Sequence, residues 1–367
     1  MRGGKSPSDG AGRLRALWLI PGLLLALTPV AGALLPDSRA KFALQAAGNV
    51  WLGFFVYYGF VLLALLALSL PLRRMKRRYG GVLCLSLAAA LAITGLGMRH
   101  AQDTRVVTYD IRVDKPADGA EDMKLVLIGD LHLSVNSHLS TTRRMVELIN
   151  EQQPDAVVIA GDIFTSSYSA LSHPEAYAEA LRSIQTRYGV YAVYGNHDVE
   201  ETLFGGFPIS PISQAFRSRE MEAFFDDCGF ITLADEVAAL GGVQLAGRVD
   251  GEKAGDGTTN RLSPEALLKD VDTRLPVLVL EHEPKDFEAL KAAGADIALC
   301  GHTHAGQMFP GNLIMPFFNE NAWGYRRVHD LDTFVTAGVG YYGPPMRVGT
   351  DSEITVINIT FKGEEER

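Results

Sequence analysis

Residues 124–132 read Lys124-Leu-Val-Leu-Ile-Gly-Asp-Leu-His132: a lysine, four branched apolar residues, then a glycine and two side chains able to hold a metal ion. An apolar run this short, rich in Val, Ile and Leu, reads as a buried strand. The glycine lets the chain turn tightly and lets other backbone come close. An apolar run ending in such side chains recurs four more times, three of them with the glycine. Ala156–Ala160 runs into Gly161-Asp162, and Val190–Tyr194 into Gly195-Asn196-His197-Asp198. Val277–Leu280 leads to Glu281-His282-Glu283-Pro284, and Ile297–Cys300 to Gly301-His302-Thr303-His304. Phe334–Ala337 reads as a further strand. Mixed segments between the runs predict helices at Ser140–Gln152 (capped by Ser140), Pro174–Thr186, Ile212–Asp226 and Pro284–Ala292. Asp250–Asn260 reads as a polar loop. Strands alternating with helices predict an α/β layered domain, in which ligands gather at the carboxyl ends of strands.

Taken singly, these motifs say little. Gly-Asp after a strand is commonly a turn, and one histidine is commonly a satisfied surface or core residue. The set says more. Five of the nine histidines, at 132, 197, 282, 302 and 304, fall in strand-end motifs; His100, His138, His173 and His329 do not. Asp-x-His and His-x-His put both side chains on one face of an extended segment, so the two can grip one ion. Imidazole, carboxylate and neutral amide suit zinc, manganese or iron. The candidate donors Asp130, His132, Asp162, Asn196, His282, His302 and His304 are too many for one tetrahedral ion. They fit two ions sharing a carboxylate. Such a pair, about 3.5–4 Å apart, can ionise a water between the ions and clamp the attacking and leaving oxygens of a phosphoryl displacement. That predicts phosphoester hydrolysis.

These residues, in this order, resemble the calcineurin-like metallophosphoesterases: Asp-x-His, Gly-Asp, Gly-Asn-His-Asp, a lone His, then Gly-His-x-His. The resemblance covers about residues 122–362. It looks closest to the membrane-attached bacterial branch, through Gly301 to Gln307, Gly338–Gly340, Pro345-Met346-Arg347-Val348-Gly349 and Glu353-Ile354. It implies a four-layer αββα sandwich. It implies one ion on Asp130, His132, Asp162 and His304 and another on Asp162, Asn196, His282 and His302, with a hydroxide bridging them. It further implies that His197 is the general acid for the leaving oxygen and that Asp198 orients it. Glu281 and Glu283, flanking His282, are where relatives vary.

The N-terminal third has a different composition. Residues 1–100 carry 12 Lys/Arg and 2 Asp/Glu, a net of +10; the remainder carries −19. Apolar stretches at about 14–35, 50–72 and 79–98 are each long enough to cross a ~30 Å hydrocarbon core as a helix. The expected organisation is a membrane anchor at 1–100, a linker and entry strand at 101–121, the catalytic domain at 122–362 and a charged tail at 363–367. Basic residues gather before the first stretch (Arg2, Lys5, Arg13, Arg15) and between the second and third (Arg73, Arg74, Lys76, Arg77, Arg78). The positive-inside rule puts both groups in the cytoplasm and the catalytic domain outside it. An integral protein of the cell membrane is expected.

Arg248 and Arg347 are candidates for binding a phosphate oxygen; Arg261 is a weaker one. Apolar loops at Met308–Tyr325 and Leu203–Phe207 could form a rim that accepts a lipid-linked substrate. Within the same chemistry the alternative is a lipid-nucleotide pyrophosphatase; outside it, a non-catalytic scaffold on the same fold, whose mark would be lost ligands. The acidic charge of the larger part argues against nucleic acid as a partner. Spans with almost no internal charge argue against a transport pathway. Cys84, Cys228 and Cys300 form no disulfide framework.

Overall fold

The computed structural model describes residue 22 and residues 24–69, 79–119, 122–204 and 207–362. Residues 14–21 and 23 of the first expected span, the basic segment at 73–78, the charged tail, Gly205 and Gly206 lie outside the described residues. The chain divides into two compact units, Met1–Thr94 with Leu203–Pro208, and Gly95–Thr202 with Ile209–Arg367.

In the first unit Thr28–Leu34 is helical, with Pro29 in its first turn. The next helix, Arg39–Ser69, begins well before the expected boundary at 50. Its opening residues, Ala, Lys, Phe, Leu and Gln, are mostly good helix formers that a hydropathy reading passes over. Tyr79–His100 is a further helix, whose residues from Gly95 onward belong to the second unit. Two of these helices, over Arg39–Leu68 and Gly80–His100, are long and apolar enough to cross a membrane. Their apolar windows are only 11% and 28% buried, whereas a core helix of a soluble domain would be mostly covered.

The strands, in chain order, are β1 Thr104–Val113, β2 Asp122–Ile128, β3 Ala156–Ala160, β4 Val190–Val193, β5 Leu203–Phe204, β6 Phe207–Pro208, β7 Ile231–Thr232, β8 Glu236–Leu240, β9 Val243–Gly247, β10 Val277–Leu280, β11 Ile297–Cys300, β12 Gly324–Val328, β13 Leu331–Val335 and β14 Ser352–Phe361. β5 and β6 pair with each other as an antiparallel hairpin. The second unit holds two six-stranded sheets, ordered β1-β14-β2-β3-β4-β7 and β12-β13-β11-β10-β9-β8. Strands β2, β3, β4 and β7 run parallel, as do β9, β10, β11 and β13.

Alternate residues of these strands enter different cores. Val126, Ile128, Val157 and Ile159 pack with Met145, Leu181 and Phe224 of the helices Leu139–Glu151, Pro174–Arg182 and Arg219–Cys228. Leu125, Leu127, Val158 and Ala160 meet Leu245, Leu278, Leu280 and Leu299 of the other sheet. Val277, Val279 and Ala298 pack with Leu267 and Leu290 of the helices Pro264–Leu268 and Phe287–Ala292. The result is helix, sheet, sheet, helix: a four-layer αββα sandwich. Strands buried on both faces need apolar residues at every position, hence continuous runs and no alternation.

Helix starts differ from expectation. Ser140 lies inside the first turn of Leu139–Glu151, and His138 occupies the cap position without a side-chain bond. Ile212–Gln214 is a separate short turn after Pro211. The helix proper begins at Arg219, where Ser218 Oγ accepts from Met221 N at 3.3 Å. A side-chain acceptor for the orphan N–H groups of the first turn outweighs periodicity in fixing that start.

Candidate metal centre

The loops after β2 and β3 continue the ladder beyond the sheet. Asp130 N donates to Gly161 O (2.9 Å), His132 N to Asp162 O (3.0 Å) and Leu133 N to Ile163 O (2.7 Å). A Cβ at Gly161 would lie 2.7 Å from Gly195 N, and one at Gly195 would collide with the Asp162 carboxylate. Only glycine lets the β3 and β4 loops approach this closely. Asp130, His132, Asp162, His302 and His304 all have positive φ, between 47° and 75°. Left-handed backbone at such residues costs on the order of 1–3 kcal/mol each and marks functional geometry.

The side chains converge. Asp130, His132 and His304 bring ligand atoms within 4.8 Å of one another, as do Asp130, Asp162 and His282. Nε2 of His132 and Nε2 of His304 are 2.9 Å apart. Asp162 Oδ2 reaches toward both groups, 3.5 Å from His132 Nε2 and 3.2 Å from His282 Nε2. Its Oδ1 accepts from His197 N at 2.8 Å. Asn196 Oδ1 is 3.0 Å from His282 Nε2, and His302 Nδ1 is 3.2 Å from the same atom. Outer contacts fix the rings: His282 Nδ1 donates to Ala160 O (2.7 Å), and Thr165 Oγ1 lies 3.1 Å from His132 Nδ1. Such bonds aim the other ring nitrogen inward.

Burial drives the His132 pKa down to about 3 and that of His302 to about 4, and takes His304 well below the usual range. These imidazoles are neutral, the form that binds cations. Burial also lowers His282, but the Asp162 carboxylate overrides it and holds the ring well above its usual value. Burial raises Asp130 to about 7. It pushes Asp162 upward too, yet the charges of His282 and His197 keep that group well below the carboxylate range. Facing imidazole nitrogens amid carboxylates are the donor set that a pair of divalent cations needs.

Residues 123–306, half of the chain, match the family model described as calcineurin-like phosphoesterase. The chain belongs to the calcineurin-like phosphoesterase family. Zebrafish "Transmembrane protein with metallophosphoesterase domain" is 33% identical over 77% of this chain and 62% of its own length. The bovine protein of the same name is 31% identical, over 74% and 61%. "Uncharacterized metallophosphoesterase YkuE" of Bacillus subtilis is 28% identical, over 78% of this chain and 99% of its own. The chain thus spans about three-fifths of the two vertebrate relatives' length.

Within this phosphoesterase site, three sequence expectations shift. Arg248 is buried, its Nη1 2.6 Å from Glu281 Oε2 and its Nη2 3.2 Å from Asp286 Oδ2. Arg347 is buried beneath His304, donating to the carbonyls of His304, Ala337, Gly338 and Gly340 at 2.7–3.3 Å. Both guanidiniums are committed inside the fold and cannot reach a substrate phosphate. Asp198 does not meet the His197 ring either. Its Oδ1 accepts from Phe164 N and its Oδ2 from Gly195 N, each at 2.8 Å. The turn after β4 points its carboxylate back into the backbone.

The His197 ring instead has Ser166 Oγ 3.0 Å and Glu201 Oε1 3.6 Å from its Nδ1, and it stacks on Tyr342 with centroids 4.5 Å apart. Ser166, Glu201 and Tyr342 were not anticipated. The one sequence signal was Gly340-Tyr-Tyr-Gly343, paired aromatics between glycines. Glu252 was also missed; with His302 and Glu283, one of the two glutamates singled out beside His282, it forms a third group of converging ligand atoms.

Proposed function

We propose that this protein hydrolyses phosphate esters with two divalent cations of the zinc, manganese or iron class. One would be held by Asp130, His132, Asp162 and His304, the other by Asp162, Asn196, His282 and His302. The observation that carries this reading is the position of Asp162 Oδ2, between imidazoles of both groups. When bound, such a pair supplies an ionised water and charge stabilisation for an in-line displacement at phosphorus. The chain's own residues do the rest. The Asp162 and Asn196 side chains, with His197 N, fix the β4 loop against the centre. His197 Nδ1–H donates to Ser166 Oγ, whose hydroxyl donates to Glu201 Oε1 at 2.8 Å. Lys253 in turn holds Glu201 at 2.6 Å. In the imidazolium form the second ring proton is on Nε2, which would pass to the departing oxygen and leave a neutral ring still bonded through Nδ1–H and stacked on Tyr342.

The substrate class includes monoesters, diesters and pyrophosphates, with a lipid-linked ester favoured by attachment to a bilayer. The two apolar helices, and the word "transmembrane" in two relatives' names, support that attachment. The basic flanks support residues 1–100 as the anchor and 122–362 as a catalytic domain outside the cytoplasm. A reporter fluorescent only in the cytoplasm, fused after Arg367, should stay dark.

The deciding assay uses the full chain, reconstituted with zinc, manganese or iron, on a panel of such esters. His197→Ala should keep its metal and lose roughly 10²–10⁴-fold in kcat. Absence of hydrolysis across the panel by the metal-loaded protein would refute the reading.

A further inference from the structure

We propose that the turn-rich segment between Leu313 and Trp323 is a second membrane contact, resting on the bilayer surface beside the last turn of the helix Tyr79–His100. This rests on the reading that the helix lies in a bilayer; it does not depend on the catalytic reading. The first observation is exposure. Phe317 is 85% and Phe318 78% solvent-exposed, and Leu313, Ile314 and Trp323 beside them are about half exposed or more. A cluster of large apolar side chains left bare on a soluble surface marks an interaction site. The segment's turn is set by Pro316 and by Asn319 Nδ2 donating to Met315 O at 3.1 Å.

The second observation is position. Phe309 N donates to Val348 O at 2.8 Å, and Thr350 Oγ1 to Gln307 O at 2.6 Å, so the chain leading into this segment is tied to residues 348–350. Those residues are tied in turn to the last turn of the apolar helix. Arg347 N donates to Gly97 O at 3.1 Å. His100 Nε2 lies 2.7 Å from Asp351 Oδ1, and Ser352 Oγ donates to Ala101 O at 2.9 Å. A Cβ on Gly97 would sit 2.9 Å from Val348 Cγ2. The chain just ahead of the bare aromatics and the end of the apolar helix are therefore bonded to the same short stretch, residues 347–352. The third observation is chemistry. Met315, Pro316, Trp323, Tyr325 and Arg326 line a cleft of 370 Å³, and Arg326 Nη1 donates to Glu320 O at 2.6 Å. Trp and Tyr favour the headgroup level, and arginine can reach lipid phosphate from an apolar stem. Apolar tips, amphipathic aromatics and a flanking arginine fit a lipid surface better than a water-soluble partner.

The test uses the full chain in phosphatidylcholine vesicles with or without brominated acyl chains, which quench nearby tryptophan. The protein has three tryptophans, at 18, 51 and 323. In one protein Phe317→Trp is the sole tryptophan, all three native ones being Phe; in the second Trp51, inside the helix Arg39–Ser69, is kept alone. Both should lose emission in brominated vesicles, and the first should also lose accessibility to acrylamide. Quenching at Trp51 without quenching at the Phe317→Trp site overturns the proposal but leaves the membrane helices standing. Shielding from acrylamide without bromine quenching overturns it in favour of a second copy or another protein. An unquenched Trp51 removes the bilayer, and the proposal with it. Phe318→Trp in the same background serves if the first variant does not fold.

Discussion

At the ends of β2, β3 and β4 the first sheet delivers Asp130, His132, Asp162, Asn196 and His197; at the ends of β10 and β11 the second delivers His282, His302 and His304. The two groups of residues are held by different means. On the first side the backbone does the holding, through cross-strand bonds at Asp130, His132 and Leu133 and two N–H groups gathered by Asp198. On the second side buried arginines do it. Arg347 collects four carbonyls under His304, and Arg248 pairs with Glu281 next to His282. Carboxylate ligands sit on the side with neutral support, and guanidinium cations sit under the imidazole side. A loop can be fixed by prolonging its ladder or by wrapping its carbonyls around a cation. The second way puts in the core a residue type that otherwise suggests phosphate binding.

If Asp162 joins the two sides, Asp162→Asn should empty both cation positions and reduce hydrolysis by more than the ~10–100-fold that outer contacts around a metal are worth. Metal content per chain after reconstitution checks this; a variant that still holds two ions would show that the sides are independent. Arg248→Ala should act on folding. It strands Glu281, whose carboxyl burial has already raised to about 7, and breaking one partner of a buried pair costs about 3–5 kcal/mol. Melting of the full chain should report that loss, with KM of the folded fraction unchanged. A raised KM at unchanged stability would return Arg248 to the substrate.

The sequence legibly encoded what is decided locally. β3, β10 and β11 coincide with their apolar runs at Ala156–Ala160, Val277–Leu280 and Ile297–Cys300, because strands covered on both faces tolerate nothing else. The ligands were legible because each follows such a strand directly. The edge strands β8 and β12 were not. Glu236–Leu240 and Gly324–Val328 are mostly exposed and carry mixed polarity, and their pairing is decided by the neighbouring strand. Nor were the supports of His197 legible. Ser166 and Tyr342 come from distant loops, and only tertiary packing brings them to one ring. The two arginines misled because a guanidinium buried under carbonyls and one aimed at phosphate look alike in sequence.

A gentler test of the second side is Arg347→Gln. An amide supplies fewer donors than the guanidinium, so the carbonyls around His304 lose part of their anchor. Affinity for the cation at His132 and His304 should fall about 10–100-fold, the usual effect of an outer contact, with less change at His282. Metal titration of the two positions separates these outcomes, and equal weakening at both would break the assignment of Arg347 to one side.

The smallest expected effect falls on the first side, where two carboxylates compete for one role. Asp198 follows His197 in sequence, but its oxygens are spent on Phe164 N and Gly195 N. Asp198→Asn keeps one good acceptor and leaves one buried N–H poorly paired, a cost of about 1–3 kcal/mol. Melting should drop by roughly 2–4 °C per kcal/mol for a domain of this size, with kcat nearly intact. Glu201→Gln should do the reverse. It weakens the Ser166–Glu201 relay behind Nδ1 of His197, lowers kcat, and leaves metal content unchanged. If Asp198→Asn instead matches His197→Ala in kcat without loss of stability, the backbone-held side of the centre has been misread, because its aspartate would then serve the ring and not the loop.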